Sequence, residues 1–265
     1  MSLYIQQSLL TRIHKRLYEE SIDMYEFVEK SEWKPVKNTI ENELFPIARE
    51  YLWDRAGIRF NHNLIGSGKR ALIMREINSN RGFDLDYDLV IKKNITDEFH
   101  ELELKELFRN AFNHSVVNSE FDNPRNSTSV LTIPSHKVES LIRNGHYSSN
   151  GVVTSPYFDI CNIIAPFRPH IIQYSCDLAI VYDTKEGRHC LHVEKNIFPN
   201  RAYFQLRPKS KNMKKKEDYI KTYPNGWNKL RMLYEERKND PRYRNKASFQ
   251  IYTESINDLY NNLKQ

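Results

Sequence analysis

The chain has 265 residues, enough for one large domain or two modest ones, and its 39% hydrophobic and 28% charged side chains describe a globular protein with a real core. No apolar run approaches the ~20 residues that cross a bilayer, and Met1-Ser2-Leu3-Tyr4-Ile5-Gln6-Gln7 lacks the charged start and apolar core of a secretion signal, so the expected compartment is the cytoplasm. The net charge of +6 favours an anionic partner, and three cysteines without paired spacing, Cys161, Cys176 and Cys190, fit buried free thiols in a reducing compartment rather than a disulfide scaffold or a zinc site.

Apolar residues at helical spacing, Leu10, Ile13, Leu17, Met24 and Phe27, predict a long first helix over 3–28. Trp33-Lys34-Pro35 breaks it, and Pro35 sits in the first turn of a second helix, 35–55, which Pro46 kinks or divides. Strand 58–65 then delivers Gly66-Ser67, a helix over 70–77 follows, and 78–82 is a turn. The next strand, 83–92, carries Asp84, Asp86 and Asp88 in alternation. A helix over 97–117 comes after it, with Asp97 and Glu98 in the first turn where the helix dipole favours them.

Residues 118–150 are polar, interrupted by a strand at 129–133 and a short apolar segment at 138–142; 145–151 reads as a surface loop. Segments 152–164 and 170–182 supply further strands, and a turn at 183–187 leads into a hairpin partner, 189–195. Beyond 200 the pattern is helical and basic. The run Arg207-Pro208-Lys209-Ser210-Lys211-Asn212-Met213-Lys214-Lys215-Lys216 holds six bases in ten residues, with Tyr203, Phe204, Tyr219 and Tyr223 interleaved; Arg242, Arg244 and Lys246 form a second cluster. Bases hold phosphates and aromatics stack on nucleobases, so Lys209, Lys211, Lys214, Lys215 and Lys216 are candidate nucleic-acid contacts, the alternative being a solvated loop before a helix. Helices over 227–238 and 248–263 close the chain. The expected division is a catalytic core with N-terminal helices, 1–200, and a basic helical region, 201–265.

The chemistry concentrates at Gly66-Ser67 and the acidic strand. Residues two apart on a strand share a face, so Asp86 and Asp88 project together and repel unless a cation sits between them; hard carboxylate oxygens suit Mg²⁺. Small residues at 66 and 67 let a phosphate approach the backbone. Gly66-Ser67-Gly68-Lys69 is not a P-loop, because Asn63 stands where its first glycine belongs and Arg70 where its hydroxyl belongs. A third acid is Asp177, on the apolar strand Leu178-Ala179-Ile180-Val181-Tyr182, with Asp159 as its rival.

These residues resemble the signature of the DNA polymerase β-like nucleotidyltransferase superfamily: a hydrophobic residue, Gly-Ser, a helix, then Asp-x-Asp on a strand and a third Asp on a neighbouring strand. Ile65-Gly66-Ser67 and Asp86-Tyr87-Asp88-Leu89-Val90 match it over the catalytic core. Asp86-Tyr87-Asp88 is taken as the pair because it runs straight into an apolar strand, which leaves Asp84 at the strand mouth. The resemblance implies an α/β (α+β) fold with a small mixed sheet, and transfer of a nucleoside monophosphate from an NTP to a hydroxyl with release of pyrophosphate. It further implies Mg²⁺ or Mn²⁺ held by Asp86, Asp88 and Asp177, with Gly66, Ser67 and Lys69 binding the nucleotide. The N-terminal helices and the wide gap between Asp88 and Asp177 look like the oligoadenylate synthase-like and second-messenger synthase branch. The acceptor stays open among RNA, a nucleotide, an antibiotic and a protein, as does an inactive module of this fold that only binds nucleotide or RNA.

Overall fold

The structure, a computed structural model, describes residues 24–77, 81–136, 173–194, 201–208 and 212–264. In chain order the elements are β1 (Tyr25–Phe27), α1 (Lys30–Thr39), a π-type turn (Ile40–Leu44), α2 (Phe45–Ala56), β2 (Phe60–Leu64), α3 (Gly66–Arg70), β3 (Met74–Glu76), β4 (Arg81–Ile91), α4 (Ile95–Glu98) and α5 (Glu101–Ser115). There follow β5 (Arg125–Asn126), β6 (Leu131–Pro134), β7 (Gln173–Asp183), β8 (Arg188–Glu194), β9 (Arg201–Leu206), α6 (Met213–Thr222), α7 (Gly226–Asn239), a 3-10 turn (Pro241–Tyr243) and α8 (Ser248–Lys264). They form two compact units. A sheet unit lies within Val28–Ile73 and Ser79–Lys209, and a helical unit is built from the described residues of Met1–Phe27, Met74–Asn78 and Ser210–Gln265.

The sheet unit is mixed α/β, as expected. Its strands run β2-β4-β7-β6-β5, with β8 pairing β7 and β9 pairing β8. Strands β4 and β7 are parallel, with Asp86 opposite Asp177, and the other pairs are antiparallel. Alternation then sorts the faces. Leu85, Tyr87 and Leu89 of β4 and Cys176, Leu178 and Ile180 of β7 are buried in one core with Phe45, Ala48 and Leu52 of α2 and Leu104, Phe108 and Phe112 of α5. Phe45 meets Tyr87 edge-on at 5.1 Å and Phe112 at 6.0 Å. Burying each large apolar side chain contributes about 1.5–3 kcal/mol, and a one-residue slip of β4 would turn all of them outward. The core therefore fixes the opposite face, on which Asp84, Asp86 and Asp88 stand.

In the helical unit, β1 and β3 form an antiparallel pair tied by Arg75 and Glu26 at 2.7 Å. Ile220 of α6, Leu230 and Tyr234 of α7, and Ile251 and Ile256 of α8 are among its buried side chains. Among the described residues no helix is long and apolar enough to cross a membrane.

Several local expectations change. Trp33-Lys34-Pro35 lies inside α1 rather than ending a helix; α1 starts at Lys30, where the Glu32 carboxylate accepts the Glu29 N–H at 3.0 Å, and Pro35 removes a single intrahelical bond. Pro46 divides the second helix as its chemistry requires: the chain loosens into the π-type turn and Pro46 takes an early position of α2, where its missing N–H is harmless. The first helix does not reach 28, because Tyr25–Phe27 is β1; residues 3–23 lie outside the described residues. The helix expected over 70–77 is replaced by α3, which ends when Ala71 adopts φ 53°, and by β3. Asp97 and Glu98 fall in the short α4, ahead of α5. The chain beyond 200, expected to be helical, begins with a strand: β9 pairs with β8, Phe204 opposite Leu191. Segments 138–142, 145–151 and 152–164, with Asp159 and Cys161, lie outside the described residues.

Candidate active site

The three aspartates of β4 share a face but not a depth. Asp84 is exposed, Asp86 half-buried and Asp88 1% exposed. Asp84 accepts a hydrogen bond from the Ser175 hydroxyl on β7. Asp177, directly across from Asp86, accepts one from Thr132 on β6 at 2.6 Å. Burial first, then the charges of Asp177, Asp84 and Asp88, push the Asp86 carboxyl up from 3.8 to about 6, with Arg207 pulling the other way. The Asp177 carboxyl is also raised, chiefly by burial and further by Asp84, while the Thr132 hydroxyl lowers it. The charges of Asp177, Asp84 and Asp88 thus all bear on Asp86, and that of Asp84 on Asp177.

Asp88 belongs to a different arrangement. Its carboxylate accepts from Arg188 Nη1 at 2.6 Å and from Arg207 Nη1 at 2.9 and 3.0 Å. Arg188 also grips Asp183 at 2.7 Å, which ties the β7–β8 turn to β4. Two guanidinium groups supply Asp88 with positive charge, so its surroundings differ from those of Asp86, two residues along the same face. Sequence spacing missed the two arginines because they lie 100 and 119 residues away along the chain. Period-two alternation alone gives Asp84, Asp86 and Asp88 the same face.

The Gly66 turn faces this cluster. Ile65 N–H donates to the Asp86 carbonyl at 2.8 Å, and Gly66 adopts φ 60°. A Cβ built on Gly66 would stand 2.2 Å from Asp86 Oδ2, so only glycine lets the backbone pass this close to the carboxylate. Gly68 is buried against Leu64 and Leu85, where a Cβ would be crowded at 3.0 and 3.3 Å. Ser67 is half-buried and Lys69 exposed on the same turn. Gly66→Ala is expected to cost about 1–3 kcal/mol through left-handed strain and overpacking, and to displace the Asp86 carboxylate. Urea unfolding with a crystal structure of the variant checks both; an unshifted Asp86 would show that the close approach is not needed.

Hard oxygen donors that repel one another suit a divalent cation, and the donor set Asp84, Asp86 and Asp177 fits one chemically. Among the described residues, no group of three or more His, Cys, Asp or Glu side chains is already arranged to hold a metal ion. Asp84 and Asp177 are each turned to a hydroxyl donor instead.

Lys209 and Lys211 are outside the described residues, and Lys214, Lys215 and Lys216 are consecutive on α6, so they point about 100° apart. Lys214 stands 3.8 Å from Asp218, and Lys216 donates to Asn257 at 2.7 Å over the Tyr260 ring. Such a fan offers one phosphate track at most one free lysine. Replacing all three by Gln is therefore expected to flatten the log–log salt slope for single-stranded RNA by no more than about 0.7, measured by fluorescence anisotropy. A drop of about 2 would mean that all three reach phosphates.

No family model matches the sequence, and no curated protein is similar to it. In structure the chain is similar to the Vibrio cholerae cyclic AMP-GMP synthase DncV. The form with nonhydrolyzable GTP aligns at 13% identity and TM-score 0.46, covering 80% of this chain and 48% of that one. The form with the linear intermediate pppA(3',5')pG aligns at 12% and 0.46, covering 77% and 45%. The GTP-bound form aligns at 14% and 0.45, covering 88% and 52%. The chain spans about half the length of these structures.

Proposed function

We propose that the sheet unit is the core of a nucleotidyltransferase that moves a nucleoside monophosphate from an NTP to a hydroxyl acceptor and releases pyrophosphate. The observation that carries this reading is the placement of Asp84, Asp86 and Asp177 on one sheet face beside the Gly66 turn, where burial and the charges of Asp177 and Asp84 raise the proton affinity of Asp86 and burial and Asp84 raise that of Asp177. A protein that only bound anions would gain nothing from three acids there. Asp84 takes the place first given to Asp88, because Asp88 is committed to Arg188 and Arg207.

In this reading Asp84, Asp86 and Asp177 hold Mg²⁺ or Mn²⁺, which when bound lowers the pKa of the acceptor hydroxyl and neutralises charge on the departing pyrophosphate. The Gly66-Ser67 backbone and hydroxyl, with Lys69, orient the triphosphate. Thr132 fixes one oxygen of Asp177 and leaves the other to receive the proton of the attacking hydroxyl, whose oxygen forms a bond to the α-phosphorus as the bond to pyrophosphate breaks. The acid side chains otherwise keep the site face charged and ordered against the parallel strands beneath.

A second reading, favoured by the absence of an arranged ligand set among the described residues, is a module that binds nucleotide without turnover. Incubation with each α-labelled NTP and Mg²⁺ or Mn²⁺, with and without RNA, separates the two. Labelled product with stoichiometric pyrophosphate is expected for the enzyme. Saturable NTP binding without pyrophosphate under every condition would leave the binding module.

A further inference from the structure

The helical unit contains a cleft of about 100 Å³ where the end of α7, the Pro241–Tyr243 turn and the chain entering α8 meet β1. Tyr25 and Tyr243 line it with rings, and Lys238, Asp240, Arg244 and Lys246 with charge. These charges do not cancel. Asp240 is engaged by Arg242 at 2.5 Å and Lys246 by Glu254 at 2.7 Å, whereas Lys238 and Arg244 have no carboxylate partner among the described residues.

Lys238 is half-buried. Its ammonium donates to Ser248 Oγ at 3.1 Å and lies 4.2 Å from the centre of the Tyr25 ring, which leaves donor capacity unused. Burial lowers its pKa, the mark of a cation that lacks a counter-charge. The walls are held in place before any ligand arrives: the Asn239 carboxamide accepts the Tyr25 N–H at 2.6 Å and donates to the Tyr25 carbonyl at 3.0 Å, and Asp240 accepts the Arg242 N–H at 2.9 Å.

Size and charge then select the ligand. At about 30 Å³ per water, the cleft has room for a tetrahedral oxyanion. Two uncompensated cations match a dianion, and the guanidinium fork matches phosphate oxygens. We propose that this cleft binds a phosphate group between Lys238 and Arg244, carried either by the free ion or by a phosphomonoester. The proposal does not depend on the nucleotidyltransferase reading of the sheet unit.

The test is a titration of the ¹⁵N-labelled full chain with inorganic phosphate at constant ionic strength, repeated with glucose 6-phosphate and with chloride. Amide signals of Tyr25, Asn239 and Tyr243 should move with phosphate and not with chloride. Lys238→Gln and Arg244→Gln should each weaken the interaction about tenfold or more, while Lys34→Gln, at an exposed lysine of α1, leaves it unchanged. A response to both phosphates supports a monoester site, and a response to inorganic phosphate alone supports a free-ion site. Equal responses to chloride and phosphate, or phosphate affinity unchanged in Arg244→Gln, would overturn the proposal; Arg244 is exposed, so that variant keeps its fold.

Discussion

Asp86→Asn is expected to abolish nucleotidyl transfer and, in the absence of metal, to make the protein more stable. The folded state holds the Asp86 proton up to about pH 6, whereas an ordinary aspartate loses it near 3.8. Below 3.8 the carboxyl is neutral in both folded and unfolded chains, and the substitution changes little. Between 3.8 and about 6 the unfolded chain gives up the proton first, so wild-type stability falls as pH rises; above 6 the deficit is constant. At about 1.4 kcal/mol per tenfold change in proton affinity, it amounts to about 3 kcal/mol. Asn removes the charge that creates it. Thermal unfolding in EDTA from pH 3.5 to 8 should show the two proteins converging at the acid end and the variant ahead above pH 6. A variant less stable than wild type at pH 7.5 would mean that burial and like charges do not hold the Asp86 carboxylate at a cost.

Asp88→Asn, two residues along the same strand, is expected to shift stability in the opposite direction. Its carboxylate is almost fully buried and carries both arginines. Removing one partner from such a group leaves uncompensated buried charge and costs about 3–5 kcal/mol. Arg188 keeps Asp183, while Arg207 loses Asp88, so the end of β9 should loosen more than the β7–β8 turn. Urea unfolding measures the loss, and amide hydrogen exchange over β8 and β9 locates it. A stable, unperturbed Asp88→Asn protein that has lost metal affinity would return Asp88 to the ligand set.

The contrast between these two residues marks how far the sequence could be read. The Gly66 turn, the alternation on β4 and the pairing of Asp177 were visible because each depends on local spacing or on one apolar run. The choice among Asp84, Asp86 and Asp88 was not. A strand gives all three one face, and depth is assigned by Arg188 and Arg207 from β8 and the end of β9. The same limit explains β3 and β9: residues 74–76 join the helical unit through β1, and 201–206 join the sheet through β8, pairings that helical periodicity does not register. The end of α3 turns on one left-handed residue, Ala71, whose side chain gives no warning of it.

The most direct test of the site is Mn²⁺ binding, followed by electron paramagnetic resonance on the full chain with a nonhydrolysable NTP and on Asp84→Asn, Asp86→Asn and Asp177→Asn. The expected result is saturable Mn²⁺ binding in wild type that each of the three substitutions weakens by about tenfold or more, in step with the loss of pyrophosphate release. Mn²⁺ affinity and turnover that survive Asp84→Asn unchanged would contradict the assignment of Asp84, Asp86 and Asp177 as the catalytic set.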